Sequence, residues 1–296
     1  MPAAPSDPVS QPVLRLGSRA FDRGRPLVMA IVNSTPDSFF DGGATYAFDA
    51  AMQRIDRVVD EGADVVDIGG VRAGHGADVD VAEELRRTRP LVAAVRSRHP
   101  RLVISVDTWR AEVAEALCRE GVDLVNDPWA GADPHLAEVA AAYGAGLVCS
   151  HTGGLVPRAE PRRMTYDDVM VDVVAGTTAL AERAVRIGVR REAILLDPTH
   201  DFGKNTVQSL ELTRRLDELV GTGWPVLVAL SNKDFVGETL DLPVGERLVG
   251  TLAATAVAAW HGASMFRAHQ VAETRSVVDM VASIRGDRPP AARRRP

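Results

Sequence analysis

Two lysines are the side chains whose type and position most directly suggest chemistry. The chain has 34 basic residues, and all but Lys204 and Lys233 are arginine. Each lysine stands just past an apolar run, at the end of Ala193–Lys204 and of Pro225–Lys233. A planar guanidinium does not replace a compact ammonium in a tight pocket. We therefore interpret both positions as requiring an amine; the alternative is that drift left two lysines on the surface.

Other polar residues stand where the short apolar runs of the chain end. They are Asn33, Asp67, Asp107, Asn126 with Asp127, His151, Asp197, Ser231 with Lys233, and Arg267 with His269. Any single one could be a helix cap. Since the carboxyl ends of parallel strands meet on one face of a barrel, the whole set instead predicts one pocket of carboxylates, amides and cations. Such a pocket suits a polar heterocycle that carries an anion.

The runs that must position these residues number eight, and helical patterns lie between them. The runs are Pro26–Asn33, Asp64–Gly70, Arg101–Asp107, Asp123–Asp127, Gly146–His151, Ala193–Pro198, Pro225–Ser231 and Ser264–Gln270. The helical patterns include Ala47–Gly62, Val81–His99, Arg110–Gly121, Tyr166–Gly188 and Glu246–Gly262. Nearly continuous apolar runs are typical of parallel strands buried on both faces. The alternation predicts an α/β protein, a (β/α)8 TIM barrel in a single domain.

A doubly wound open sheet is the alternative fold, although no Gly-x-Gly-x-x-Gly follows the first run. We place the barrel at residues 15–285, between tails expected to be disordered at 1–14 and 286–296. A metal-hydrolase barrel would favour a His-x-His pair on the first strand, which here ends in Asn33. His151, His200 and His269 are the alternative metal ligands, but no two have helical or strand spacing.

Composition limits the partners and the compartment. The 296 residues are 46% hydrophobic with a net charge of −6, which gives no reason to expect nucleic acid. No apolar stretch approaches the roughly 20 residues of a membrane span, and the N-terminus lacks the pattern of a secretion signal. Cys118 and Cys149 lie far apart without metal-ligand spacing. We expect a cytoplasmic protein with buried thiols and no membrane partner.

A series of motifs along the chain resembles one enzyme family. In order they are MAIVNSTPDSFFDGG (Met29–Gly43), DIGG (Asp67–Gly70), SVDT (Ser105–Thr108), ND (Asn126–Asp127), LDP with FGK (Leu196–Lys204), SNK (Ser231–Lys233), GTLAAT (Gly250–Thr255) and RAH (Arg267–His269). They are similar to the motifs of the dihydropteroate synthase family. The resemblance implies a (β/α)8 barrel that condenses a dihydropterin hydroxymethyl pyrophosphate with para-aminobenzoate. Pyrophosphate leaves with help from Mg²⁺, and the product is a folate precursor.

The resemblance also implies roles for the strand-end residues. Its pterin-binding residues are Asp107, Asn126, Asp197 and Lys233. This agrees with the chemistry of a pterin, whose guanidine-like edge needs acceptors and whose carbonyl needs a cationic donor.

A second group of residues would handle the leaving pyrophosphate. By resemblance Asn33, Arg267 and His269 bind it, and Asn33 also lies near the Mg²⁺. With Asp67, which we expect to support the loop after the second strand, these residues form the predicted catalytic group. Their task would be to stabilise charge as pyrophosphate departs. Family members commonly form homodimers through their last helices, here around Glu246–Trp260 and Val271–Ile284.

The chain departs from the family at the mouth of the predicted pocket. It has Val71–Gly76 for a Ser-Thr-Arg-Pro loop, Thr199–Asp201 for a glycine-rich turn, Asn232 for an arginine, and Gln270 for an aspartate. Losing a transition-state donor costs on the order of 10²-fold in rate. The pterin residues are intact, so the chain resembles a diverged second paralogue that binds a small-molecule pterin and condenses it weakly or not at all.

Two alternatives stay open. The first is a fully active dihydropteroate synthase with a remodelled second-substrate loop. The second is a pterin-dependent methyl carrier on the same barrel, which would need a corrinoid domain that we expect this chain to be too short to hold.

Overall fold

The computed structural model describes residues 14–22, 24–33, 43–71, 78–158 and 164–292, without the side chains of 43–47. The variant loop with Arg72 and His75, and most of the first motif, lie outside the described residues. Short strands β1 (Leu14–Leu16) and β2 (Arg19–Phe21) form an antiparallel hairpin. The parallel strands are β3 (Leu27–Asn33), β4 (Val65–Gly69), β5 (Val103–Asp107), β6 (Leu124–Asn126), β7 (Gly146–Ser150), β8 (Ile194–Asp197), β9 (Leu227–Val228) and β10 (Met265–Ala268).

The parallel strands close into a barrel. Within the described residues their order is β8-β7-β6-β5-β4-β3-β10-β9, and a parallel bridge between Leu196 and Val226 joins the two edges. The fold-class prediction is confirmed. The register is nearly level at the carboxyl ends, since Gly69 pairs with both Asn33 and Asp107, and Asp107 with Asn126. This register brings the strand-end polar residues side by side, as the sequence pattern predicts.

Helices surround the sheet and follow its strands. They are α1 (Gly43–Asp60), α2 (Val81–Arg98), α3 (Ala111–Arg119), α4 (Leu136–Tyr143), α5 (Val169–Ile187), α6 (Thr206–Arg214), α7 (Leu216–Val220), α8 (Asp234–Leu240), α9 (Leu248–Trp260) and α10 (Val271–Arg285). Local sequence fixes several starts. The Asp168 carboxylate caps α5, and Asn205 and Gln208 form a reciprocal capping box on α6. No helix in these described ranges is long and apolar enough to cross a membrane.

A small apolar cluster fills the amino-terminal end of the barrel. Its members are Leu14, Leu16, Phe21, Leu27, Met29, Val65, Val103, Leu124, Val148, Leu195, Leu227 and Met265. Leu14 is only 2% exposed, so it belongs to the folded domain and not to the predicted tail. The sequence pattern missed the hairpin because each strand has three residues, joined through Gly17 at φ +55°. With this end plugged, the carboxyl end of the barrel is left for a ligand.

Candidate functional site

A fully buried carboxylate organises the carboxyl end of the barrel. Asp67 on β4 accepts hydrogen bonds from Ser105 Oγ at 2.6 Å, Asn126 Nδ2 at 3.0 Å and Arg267 Nε at 2.6 Å. These partners come from β5, β6 and β10, so one side chain ties four strands together. A buried network that is fully paired holds its members in one arrangement.

The predicted role of Asp67 as a support for the loop after β4 stays a prediction, because positions 72–77 of that loop lie outside the described residues. Other residues hold the two ends of that loop. Arg87 Nη1 donates to the Gly70 carbonyl at 3.0 Å, and Arg110 Nη2 donates to the Val79 carbonyl at 2.7 Å. Arg110 is itself paired with the buried Glu84 at 2.6 Å.

Arg267 joins the buried network to the pterin residues predicted from the sequence. Its Nη2 donates to Asp107 Oδ2 at 2.7 Å while its Nε holds Asp67. Burial raises the pKa of Asp107 to about 7, and the Arg267 guanidinium opposes that rise. Arg267 was predicted to bind pyrophosphate, and the structure places it between two carboxylates at the edge of the pocket.

Lys233 lies on the other side of this mouth, just before α8. Its Nζ donates to the His200 carbonyl at 2.9 Å and lies 4.6 Å from the centre of the Phe202 ring. Asp197, buried at the end of β8, accepts from its own turn at Thr199 N at 2.7 Å. Burial raises the pKa of Asp197, and Lys233 is among the cations that lower it. The mouth therefore offers an ammonium donor near carboxylate acceptors, as a pterin requires.

Lys204 has a different task from Lys233. Its Nζ donates to the carbonyls of His151 at 2.8 Å, Thr199 at 3.1 Å and Phe202 at 2.9 Å. These three bonds use all the N–H groups of an ammonium, and they tie the loop after β7 to the loop after β8. The geometry requires an amine at position 204, and the role of that amine is to hold the two loops together.

Two strand-end residues do not face the mouth, contrary to the prediction. The Asp127 carboxylate accepts from the Trp129 amide at 2.9 Å and the Gly131 amide at 2.6 Å, so it caps its own turn. His151 Nε2 lies 2.6 Å from Asp172 Oδ1 on α5. Asp127 directly follows β6 and His151 directly follows β7, and both side chains turn away from the mouth toward these partners.

The predicted pyrophosphate residues Asn33 and His269 lie on the exposed rim. The Nδ1 of His269 is 3.1 Å from Ser231 Oγ, which also donates to Gln270 Oε1 at 3.2 Å. A neutral amide thus stands at the position where the family has an aspartate. The structure leaves the anion-binding roles of Asn33 and His269 as predictions.

The described residues of this rim fit Mg²⁺ as an ion carried with the substrate. Among the described residues no three His, Cys, Asp or Glu side chains group to hold a metal. Mg²⁺ keeps several waters and takes substrate phosphates with one or two protein oxygens. The amide oxygen of Asn33 lies beside Gly69, 3.3 Å from where a Cβ would stand, at the end of β3. Asn33 could supply such an oxygen, and the bound ion would neutralise the leaving pyrophosphate.

Sequence reasoning missed two residues of the site. Ser105 is a polar residue within the apolar run Arg101–Asp107, a signal that could have identified it as an interior partner. Phe202 lies under the Lys233 ammonium and packs edge-on against Trp129, with ring centres 5.5 Å apart. Although Phe202 is the first residue of the FGK motif, its residue type gave no signal that it would contact Lys233.

The turn after β8 gives a prediction for pH dependence. Burial, Lys204 and Lys233 lower the pKa of His200 to about 3. Below the unfolded pKa near 6.5, the unfolded chain takes up a proton that the folded chain refuses, so stability falls as pH falls. Between pH 7.5 and pH 5, we expect the unfolding free energy of His200→Gln to fall by about 2 kcal/mol less than that of the parent chain.

Urea unfolding at the two pH values measures this difference. His135→Gln, which changes an exposed histidine at the start of α4, is the control and should leave the pH dependence nearly as it is. Identical pH dependence in the parent chain and His200→Gln would show that His200 takes up its proton equally in both states.

Comparisons with known proteins show the family of this chain. The model of the pterin binding enzyme family matches residues 29–269, and this chain belongs to that family. A relative from Mycobacterium leprae, named inactive dihydropteroate synthase 2, is 60% identical over 270 residues, 90% of this chain and 93% of the relative. The dihydropteroate synthase of Haemophilus influenzae is 35% identical, over 88% of this chain and 94% of the enzyme.

A solved structure shows the same fold. The dihydropteroate synthase of Xanthomonas albilineans, in a complex with 4-aminobenzoic acid, has a TM-score of 0.85 and 35% identity over 93% of this chain and 98% of that one. The family resemblance drawn from the motifs is confirmed, including the similarity to a diverged second paralogue.

Proposed function

We propose that this chain binds a dihydropterin at the carboxyl end of its barrel and condenses it with para-aminobenzoate weakly or not at all. The observation that carries the proposal is the network in which Arg267 spans Asp67 and Asp107 beside Asn126. It preserves the family's pterin groups, with Asp197 and Lys233 across the mouth. The inactive relative from Mycobacterium leprae supports the loss of condensation.

The surroundings of Asn232 also support weak chemistry on the second substrate. A short amide stands there in place of the family's arginine. The nearby Arg247 does not supply the missing cation to a ligand, because it donates to the Asn232 carbonyl at 3.0 Å and to Asp234 Oδ1 at 2.8 Å. The second substrate therefore lacks, at this side of the mouth, a cationic donor that the family provides.

Calorimetric titration with dihydropterin pyrophosphate and Mg²⁺, then para-aminobenzoate with an assay for dihydropteroate, tests the proposal. We expect pterin binding without measurable turnover. Asp197→Ala is the control for specific binding, since it removes an acceptor of the pterin edge. Turnover at the rate of an ordinary synthase would establish the active alternative, and absence of pterin binding would refute the function.

We further propose a homodimer in the cytoplasm. An apolar stripe on α9 carries Val249, Val257 and Trp260, which are 78%, 43% and 56% exposed, and Met280 and Ile284 on α10 are each 61% exposed. α9 and α10 pack together, so these residues offer one face to a second copy. The buried free thiols Cys118 and Cys149 support a reducing compartment.

We expect Trp260→Glu to convert the dimer to a monomer, because it places a charge in that apolar face. Light scattering after size-exclusion chromatography measures the mass. Val171→Glu changes an exposed apolar residue on α5 and should leave the dimer intact. A parent chain of monomer mass, or a Trp260→Glu variant of dimer mass, would contradict the proposed interface.

A further inference from the structure

The turn after β8 has a backbone that its residues do not favour. Thr199 and Asp201 have φ values of +55° and +69°, in the left-handed region. This region costs a residue with a Cβ roughly 1–2 kcal/mol. Glycine would be free of that cost, and the family has a glycine-rich turn here. The contacts of the two side chains must therefore hold the turn.

Asp201 makes the contacts that hold it. Its Oδ2 accepts from the Asp234 amide at 2.7 Å and from the Phe235 amide at 3.4 Å, the first amides of α8. Its Oδ1 accepts from Ser209 Oγ at 3.1 Å on α6. The carboxylate therefore caps α8 and fixes it to α6 and to the turn.

The same contacts enclose Lys233. Lys233 directly precedes α8, and its ammonium donates to the carbonyl of His200, the residue before Asp201. Asp201 thus fixes both the backbone from which the lysine extends and the carbonyl on which its ammonium rests. These two hydrogen bonds and two stretches of backbone form a closed ring. The Asp234 amide donates to Asp201, the adjacent Lys233 donates to the His200 carbonyl, and His200 is bonded directly to Asp201.

Asp201 also supplies charge to this lysine. The charged and titratable groups that face Lys233 are Asp201, Asp197 and Asp234, the cations Arg267 and Lys204, and the histidines His200 and His269. Burial lowers the pKa of Lys233, and the Asp201 carboxylate is the largest influence that raises it.

We propose that Asp201 is a positioning residue for Lys233, holding the ammonium in place and charged for its ligand. This inference rests on the proposed pterin binding. Asp201 is one of the positions at which the chain departs from the family. The strained turn that contains it pre-organises Lys233 as the donor to the pterin.

The chain itself offers a direct readout, because it contains only two lysines. NMR titration of ¹³C,¹⁵N-lysine-labelled protein follows the two ammonium groups separately, without ligand. In Asp201→Asn, the amide oxygen still caps α8, but the charge is gone. We expect the pKa of Lys233 to fall by about one unit, with that of Lys204 changed much less. The matched control is Asp234→Asn, whose side chain is 77% exposed and should shift Lys233 little.

Calorimetry of the same variants with dihydropterin pyrophosphate and Mg²⁺ connects the charge to the ligand. We expect Asp201→Asn to weaken binding by up to about tenfold at a pH above the pKa of Lys233, and to lower by about one unit the pH at which binding is lost on raising pH, since Lys233 loses its proton earlier. Urea unfolding should show Asp201→Asn nearly as stable as the parent chain, which separates this role from a structural one.

The two failures are distinguishable. A parent chain that binds no pterin would refute the proposed function, while the NMR titration would still test the link between Asp201 and Lys233. An unchanged pKa of Lys233 in Asp201→Asn would refute the positioning role. If the parent chain binds pterin, the same conclusion would follow from an Asp201→Asn variant with the affinity and pH profile of the parent chain.

Discussion

Replacing Lys233 with arginine should abolish dihydropterin binding, raising the dissociation constant by about a hundredfold or more. The lysine ammonium rests 2.9 Å from the His200 carbonyl and 4.6 Å from the centre of the Phe202 ring. A guanidinium is planar, longer and wider than an ammonium, so it cannot keep that carbonyl contact and also present one compact donor to the ligand. Calorimetry with dihydropterin pyrophosphate and Mg²⁺ measures the loss, with urea unfolding as the test of the fold.

Lys204→Arg is the matched control, and it should lower the stability of the fold, whereas Lys233→Arg should lower the affinity for the pterin. Lys204 is buried and donates to three backbone carbonyls, which a guanidinium cannot reach together. We expect it to lose about 2–4 kcal/mol of unfolding free energy, because carbonyls in a buried loop are left without donors. If Lys233→Arg kept the affinity of the parent chain, the interpretation that this position requires an amine for its ligand would be wrong.

The fold could be predicted because its signals are local. Each strand of the barrel is an apolar run buried on both faces, and the run from Arg101 to Asp107 contains the observed strand Val103–Asp107. Parallel strands in a barrel end on one face, so the sequence also predicted that Asp107 and Asn126 would lie at the same mouth, where the structure pairs them. Neither inference needs knowledge of side-chain direction.

Side-chain direction is the part that the sequence could not supply. Asp127 follows Asn126 directly, yet the two side chains point in different directions. The Asp127 carboxylate caps its own turn, and the Asn126 amide donates to Asp67. The choice depends on the backbone of the turn, where Ala130 has φ +54°. The bond from Arg267 to Asp67 joins residues 200 positions apart, and its geometry exists only after the barrel closes.

The second large effect concerns that bond. Asp67→Ala should lower the unfolding free energy by about 3–5 kcal/mol, because it leaves the Arg267 cation with less compensation and removes the acceptor of Ser105 and Asn126. We also expect it to abolish pterin binding, since Arg267 would no longer be held beside Asp107. Urea unfolding and the pterin titration measure the two effects, and Ser105→Ala, which removes a single donor, should cost only about 1 kcal/mol.

A double variant separates the charge from the packing. If the cost of Asp67→Ala comes from the guanidinium that it leaves partly unpaired, then adding Arg267→Met should recover part of the lost stability, because the variant no longer contains that buried cation. Pterin binding should stay absent in the double variant, since the donor beside Asp107 is gone. If the double variant instead lost the sum of the losses measured for Asp67→Ala and Arg267→Met, the carboxylate would act independently of the guanidinium, and the ion pair would not organise the mouth of the barrel.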